Sequence, residues 1–150
     1  MRQINLEPHE MQLACMVAIQ RQIENIVKKT QPAYGAGRRN DWQIMIEGCL
    51  GEMALSKMLG VYWDGKGQYG ACDVGDVDCR TSPNHEQDLI LHKRDPGDRF
   101  FCLITGARGE YVYRGGIFAR EGKLEKYWGD KYNNGRPAFW VPQEQLRSAP

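Results

Sequence analysis

The sequence lacks the patterns that mark several classes of protein. Its five cysteines include no Cys-x-x-Cys pair, which argues against a disulfide framework or a structural zinc site, so we expect reduced thiols. No apolar run approaches the length of a membrane span, and residues 1–12 contain no apolar signal core, so we expect a cytoplasmic protein. The net charge of +1 neither requires nor forbids a nucleic-acid partner, because a local basic patch matters more than the sum.

Two further absences narrow the possibilities. The chain has no internal repeat, and its glycine-rich loop at residues 64–71 lacks the Gly-x-x-x-x-Gly-Lys-Ser/Thr pattern of a phosphate-binding loop. What is present, 41% hydrophobic and 26% charged residues in a chain of 150, is typical of a globular protein. The length predicts one domain, in which residues 8–29 form a helical scaffold and residues 41–150 form the core.

An amphipathic helix is predicted from Pro8 to about Lys29. Proline is common in the first turn of a helix, and most of the apolar residues fall on one broad arc, which we expect to pack on the core. That arc contains Leu13, Met16, Val17, Ile19, Ile23, Ile26 and Val27. Arg21 lies on the opposite, polar arc and is expected to face solvent.

A second helix is predicted from about Asp41 to Met58. Its apolar arc has Glu52 at the border, so this carboxylate is expected to be half buried. Gly48 and Gly51 each cost a helix stability, and helices accept that cost where another backbone must come close. The pair therefore predicts that a strand or a ligand approaches the helix beside Glu52. The alternative is tight helix packing with an exposed Glu52.

The segment 72–81 concentrates acidic residues in one turn and one strand. In an extended strand Asp76, Asp78 and Arg80 share one face, while Val77 and Cys79 share the other. Asp73 precedes Gly75, and glycine can bend the chain so that this acid points back toward the face of Asp76, Asp78 and Arg80. Such a cluster would suit Mg²⁺, which proteins usually hold with one or two carboxylates. The alternative is an edge strand whose solvated charges prevent pairing with other chains.

Three more strands are predicted downstream, with strong turn signals at residues 95–98 and 106–109. They are Asp88–His92, Phe100–Thr105 and Tyr111–Phe118. Two N-terminal helices followed by a mostly antiparallel, twisted sheet make the predicted fold class α+β. Aromatic residues near the C-terminal end could stack on bases, although packing in the core or at its rim is the commoner use. They are Tyr127, Trp128, Tyr132, Phe139 and Trp140.

The order Gly51-Glu52, Asp73 and Asp78-x-Arg80 resembles the PD-(D/E)xK nuclease superfamily, in which a helical Glu, a turn Asp and an Asp/Glu-x-Lys strand hold Mg²⁺. Residues 41–148 more closely resemble a group of small proteins of phages and actinobacterial-type genomes. The matching motifs are Gly48-x-x-Gly51-Glu52-x-Ala54, Asp73-Val74-Gly75, Arg80-Thr81, Leu89-Ile90, Asp95, Leu103-x-Thr105-Gly106, Gly116-Ile117 and Arg136-Pro137-Ala138-Phe139-x-Val141-Pro142.

The superfamily resemblance implies a restriction-endonuclease-like variant fold and metal-dependent hydrolysis of phosphodiester bonds in DNA or RNA. It implies that Glu52, Asp73 and Asp78 bind Mg²⁺ or Mn²⁺ and that Arg80 is the fourth catalytic residue. Arg80 stands where the superfamily has lysine, and an arginine stabilises phosphate charge but does not act as a base. Lys57 is an alternative source of an amine.

Nucleic acid is the expected partner, with phosphate contacts from Arg38, Arg39 and Arg80. Paired arginines in a loop are more often simply solvated. The competing hypotheses are a catalytically inactive nucleic-acid-binding protein and a phage accessory protein that binds a host protein with the same fold.

Overall fold

A computed structural model describes residues 1–30, 40–67 and 70–148. Strand β1 (Arg2–Asn5) precedes two long helices, α1 (Pro8–Val27) and α2 (Asp41–Leu59). The later elements are β2 (Val77–Ser82), β3 (Leu89–Leu91), β4 (Phe100–Ala107), β5 (Glu110–Phe118), α3 (Ala119–Gly122), β6 (Trp128–Gly129) and β7 (Ala138–Val141). The predicted α+β class is confirmed, and the ends of both long helices lie within two residues of those predicted.

The strands form two sheets where the sequence indicated one. The larger sheet has the order β1-β5-β4-β2, and the smaller has the order β3-β7-β6. Strands β2 and β4 run parallel, and every other pairing between these strands is antiparallel. The parallel pair is possible because residues 83–99 connect the two strands, which is the length that a crossover needs. Strand β1 was not predicted, since its four residues bury only Ile4 and carry no readable periodicity.

Helix α1 packs with a different face from the predicted one. Its buried residues are Ala14, Ala18 and Gln22, and the small alanines let the helix approach α2 closely. The predicted core arc is largely exposed, from 44% at Ile19 to 75% at Val27, although Val17 packs partly on the core. The polar side of α1 can be buried because its residues find partners on α2, as Gln22 does with Asp41 at 2.8 Å.

Helix α2 lies against strand β2 at Gly51. A Cβ atom added there would lie 1.8 Å from Thr81 Oγ1 and 2.8 Å from Thr81 Cβ, so only glycine fits. The predicted approach of a strand to this helix is therefore confirmed at Gly51. Gly48 was wrongly included, since no described atom outside its own helix lies within 4 Å of such a Cβ.

Two hydrophobic cores lie on opposite faces of the larger sheet. One contains Cys49 and Leu55 of α2 together with Val77 and Phe100, while the other contains Phe101 and Leu103. Residues that follow one another in β4, such as Phe100 and Phe101, therefore face different cores, as strand geometry requires. Within the described ranges, no helix is long and apolar enough to cross a membrane.

We expect Gly51→Ala to lower the free energy of unfolding by about 1–3 kcal/mol, because the new methyl group overpacks the contact with Thr81. Gly48→Ala is the matched control on the same helix, and it should be neutral or stabilising by up to ~1 kcal/mol. Urea unfolding of both variants measures the difference. Equal stability of the two variants would contradict the close approach of α2 to β2.

Candidate functional site

Asp73 lies in the tight turn that leads into β2. Val74 and Val77 exchange two backbone hydrogen bonds of 3.0 Å, and Gly75 has a φ of +55°, in the left-handed region that favours glycine. The turn directs Asp73 back along the strand, where its Oδ2 accepts a hydrogen bond of 2.8 Å from the backbone N–H of Cys79. Because β2 is an edge strand, this carboxylate covers a backbone group on the free side of the sheet.

Asp78 lies on β2 and is only 6% exposed. Its nearest ionic partner is Arg99, whose Nη1 is 3.5 Å from Oδ2. Burial, and after it the negative charge of Asp73, raise the pKa of Asp78 to about 6 against the opposing charges of Arg99 and Arg80. Asp78 is thus a buried acid with an incompletely compensated charge.

Glu52 is also buried, more fully than the predicted half burial. Its two carboxylate oxygens accept hydrogen bonds of 3.0 Å from Arg21 Nη1 and Nη2, and Trp63 Nε1 donates another of 2.9 Å. Burial raises the pKa of Glu52, and the charge of Asp73 contributes to the rise, while the hydrogen bonds from Arg21 lower it. Glu52 and Asp73 therefore lie close enough to repel each other, with Arg21 as the compensating cation.

Arg80 faces the second core. Its Nη2 lies 3.0 Å from both carboxylate oxygens of Asp95, and its guanidinium stacks over the Phe101 ring at 4.7 Å. Asp95 also accepts a hydrogen bond of 2.7 Å from the His92 backbone N–H. This buried acid therefore stabilises a turn in addition to forming an ion pair with Arg80. No role for Asp95 was predicted from the sequence, and these contacts supply one.

The predicted site residues are divided between the two faces of the sheet. Thr81 contacts Gly51 of α2, and residues alternate along a strand, so Arg80 projects away from the helix that carries Glu52. Asp78 shares the face of Arg80, and Asp73 lies at the edge between the two sides. In residues 1–30, 40–67 and 70–148 no group of three or more His, Cys, Asp or Glu side chains is placed to hold a metal ion.

The other predicted residues lie apart from this region. Arg38 and Arg39 fall outside the described residues. Asp76 is exposed in the turn before β2. Lys57 is engaged elsewhere, since its Nζ lies 2.7 Å from Glu10 Oε2 and 2.8 Å from the Asn5 carbonyl oxygen, so it does not supply the base that Arg80 lacks.

Three residues that contact the acids were not predicted from the sequence. Arg21 was assigned to solvent, yet it neutralises Glu52 because α1 is rotated toward α2 on its polar side. Trp63 and Arg99 follow loops whose course no periodic pattern indicates. Of the three, only Arg21 could have been found from the sequence, because its spacing along α1 puts it on the same side of the helix as Ala14 and Ala18.

Comparison of the chain with family models, curated proteins and solved structures gives no match.

We expect Asp78→Asn to stabilise the protein at pH 8 by about 1–2 kcal/mol, since each pKa unit corresponds to ~1.4 kcal/mol. Loss of the ionic contact with Arg99 offsets part of this gain. The folded pKa is above the unfolded one, so the folded state binds the proton more tightly. Stability should therefore fall as the pH rises from the ordinary value of 3.8 through about 6, and Asn should abolish this slope.

Urea unfolding of both proteins from about pH 4 to pH 8 measures the slope and the difference in stability, and Asp76→Asn in the exposed turn is the control. A wild-type slope that survives in Asp78→Asn would show that another group titrates.

Proposed function

We propose that this chain is a metal-dependent, nuclease-like protein that hydrolyses phosphodiester bonds of DNA or RNA on a variant of the PD-(D/E)xK fold. The observation that carries the proposal is the buried carboxylate of Asp78, whose pKa is raised to about 6 beside the charge of Asp73. Acids whose pKa values are shifted by burial and by a like charge concentrate at functional sites. A cation between these two acids would relieve both the burial penalty and the repulsion.

The donor set fits Mg²⁺ or Mn²⁺, which prefer hard oxygen ligands. Asp73 and Asp78 are the two carboxylates that would hold the ion, and two suffice when water and substrate phosphate complete the shell. The bound ion would supply a more acidic water and a polarised phosphate. Glu52, which the superfamily resemblance adds to this set, is held by Arg21 at 3.0 Å and would contribute only if that pair opened.

Arg99 and Arg80 are the cations for the phosphate oxygens in this proposal. Arg99 is the better placed of the two, since its guanidinium lies 3.5 Å from Asp78. It also donates to the carbonyl oxygens of Gly70 and Ala71, which shortly precede Asp73 in the chain. Arg80 bonds Asp95 through both oxygens of that acid, so it would reach a phosphate only by sharing its guanidinium. In this proposal Arg80 therefore orients the nucleic-acid strand and does not transfer a proton.

A surface for the nucleic-acid strand is supported by lysines that stack on aromatic rings. Lys93 lies 4.5 Å from the Trp128 ring, and Lys131 lies 5.5 Å from the Trp140 ring. The two tryptophans line a shallow recess of about 310 Å³. Its other lining residues are Lys126, Tyr127, Gly129, Asp130 and Lys131. Aromatic faces beside lysines suit single-stranded nucleic acid, which stacks its bases and offers phosphates.

This recess is connected to Arg80 by a short series of contacts. Asp95 binds Arg80 through its carboxylate and accepts a bond of 2.6 Å from Lys123 Nζ through its carbonyl oxygen. Lys123 also donates to the carbonyl oxygen of Lys93, the residue that stacks on Trp128. These contacts place Arg80, Lys123 and Lys93 on neighbouring segments, which supports a path on which one nucleic-acid strand contacts all three.

A second candidate function is a nucleic-acid-binding or host-protein-binding module without turnover. The observation that favours it is that two of the residues that the nuclease hypothesis needs, Glu52 and Arg80, form ion pairs within the fold. A protein that only binds has no need to free either residue. Metal dependence separates the two candidates, since only the nuclease requires an ion at Asp73 and Asp78.

We expect wild-type protein to cleave single- or double-stranded DNA or RNA in the presence of Mn²⁺ or Mg²⁺, and Asp73→Asn to reduce the rate at least 100-fold through loss of a metal ligand. Asp76→Asn is the matched control, since Asp76 is exposed in the same turn, and it should retain activity. Fluorescent oligonucleotides of both kinds provide the assay.

Nucleic-acid binding by wild-type and Asp73→Asn protein is measured in parallel. If no substrate is cleaved with either ion while binding is retained, the nuclease proposal fails and the binding module replaces it.

A further inference from the structure

Arg114 lies in an irregular part of strand β5. The pairing of β5 with β4 shifts by one residue between Tyr113 and Gly115, so Arg114 is the extra residue of a β-bulge. Gly115 has a φ of +113°, and a Cβ atom there would lie 2.9 Å from the carbonyl oxygen of Arg147, so the bulge requires glycine. Bulges redirect side chains and are common next to active sites, so Arg114 occupies a position that strands often use for function.

Two side chains orient the guanidinium of Arg114 along one edge. Its Nε donates a hydrogen bond of 2.7 Å to Thr105 Oγ1, and its Nη2 lies 3.0 Å from His85 Nδ1. Because arginine only donates, Nδ1 is the acceptor and the neutral ring of His85 carries its proton on Nε2. Thr105 Oγ1 lies 3.0 Å from the same Nδ1 and can donate to it. These three hydrogen bonds form a closed triangle, which fixes the plane of the guanidinium.

The two residues that orient Arg114 are themselves held in place. Thr105 is fully buried on β4. His85 is exposed, but its segment is anchored by Gln143, whose Nε2 lies 2.8 Å from the carbonyl oxygens of both His85 and Gln87. An arginine that is already oriented loses less side-chain entropy on binding a ligand than a freely solvated one.

The other edge of the guanidinium, formed by Nη1 and Nη2, faces a weak acceptor. Arg21, Arg80 and Arg99 are each paired with a buried acid. In the part of the chain that the structure describes, no Asp or Glu oxygen lies within 4 Å of Arg114. Its Nη1 contacts the sulfur of Met1 at 2.7 Å, in a residue that is 94% exposed. A thioether is a poor acceptor, so an anion could replace it at this edge.

We propose that Arg114 binds a phosphate monoester or inorganic phosphate through Nη1 and Nη2, with Thr105 and His85 as positioning residues. The two N–H groups of this edge match two oxygens of a phosphate. A phosphate with two negative charges gains more than a carboxylate does from a half-buried guanidinium that has no acidic partner. The group could belong to a small phosphorylated molecule or to the end of a nucleic-acid strand, and the chemistry at Arg114 is the same for both.

This site is distinct from the proposed metal position. Thr105 pairs with Ser82, which follows Asp78 by four residues along β2. At the rise of a strand this corresponds to about 13 Å, so one phosphate group cannot contact both places. Binding at Arg114 therefore does not require that the chain hold a metal ion or cleave nucleic acid.

Titration of the full chain with inorganic phosphate tests the site in ¹H–¹⁵N spectra, at about pH 7.5, where phosphate is mostly the dianion. Chloride keeps the ionic strength constant. We expect saturable shifts of the Arg114 and Thr105 amide signals with a Kd on the order of 1–10 mM. Arg114→Lys keeps the charge and loses the paired donors, so the Kd should rise roughly fivefold or more.

Arg120→Lys is the matched control, because Arg120 is exposed over the Phe118 ring and should bind phosphate as wild type does. Two results overturn the proposal. One is the absence of saturable shifts at the Arg114 amide, and the other is an equal Kd in Arg114→Lys and wild type, which would show that the charge alone attracts phosphate.

Substitution of Thr105 tests the positioning role. Thr105→Val keeps the shape of the side chain but cannot accept the hydrogen bond from Nε, so the Kd for phosphate should rise roughly threefold or more. Thr105→Ser keeps the hydroxyl and should bind as wild type does. The same spectra report whether each variant is folded. Equal affinity of the Val and Ser variants overturns the positioning role.

Two further titrations identify the source of the phosphate. One uses glycerol 3-phosphate, and the other compares an oligonucleotide with and without a 5′-phosphate. Tighter binding of the phosphorylated oligonucleotide than of either other ligand, lost in Arg114→Lys, assigns the site to a nucleic-acid end. Binding of glycerol 3-phosphate at least as tight assigns it to a small molecule. If neither phosphate ester shifts the Arg114 amide, the proposal is overturned, whereas the nuclease proposal is tested separately at Asp73.

Discussion

Strand β2 is packed on both faces, and the alternation of its side chains decides where the charged groups of the candidate site lie. Thr81 meets Gly51 of α2 on one side, while Asp78 and Arg80 face the other. Since β2 is also an edge strand, its free side is available to Asp73, which bonds the Cys79 backbone N–H. The acids are thus grouped around an edge and not within one pocket.

Three buried or half-buried ion pairs hold the elements around this strand. Arg21 and Glu52 join α1 to α2, Arg80 and Asp95 join β2 to the turn after β3, and Arg99 faces Asp78. Removing one partner of such a pair is costly, because the other charge stays buried without compensation. A functional ligand that binds Glu52 or Arg80 would therefore have to replace an existing partner, whereas the ionic contact between Asp78 and Arg99 is long, at 3.5 Å. This difference is why the proposal places the ion at Asp73 and Asp78.

Local patterns in the sequence predicted the parts of the fold that depend on local physics. The helix ends, the β2 alternation and the Gly51 contact were predicted correctly. Asp73 was expected on the face of Asp78 and Arg80, but it lies at the edge of the strand, where it accepts a hydrogen bond from the Cys79 backbone N–H. The face of α1 was not, because the apolar arc was taken as the core face, while close packing on α2 selected the arc of Ala14 and Ala18. Likewise, Arg21 and Arg99 could not be assigned to Glu52 and Asp78, since ion pairs between distant segments depend on tertiary packing.

The most direct test of the proposed metal position is paramagnetic broadening of backbone amide signals by Mn²⁺ in ¹H–¹⁵N spectra. An ion between Asp73 and Asp78 should broaden the amides of residues 73–79 and 99–101 first, since β2 pairs with β4 there. The same titration with Asp73→Asn should lose that pattern. Broadening that begins at exposed acids elsewhere, such as Asp130 or Glu144, or that is unchanged in Asp73→Asn, would contradict the account.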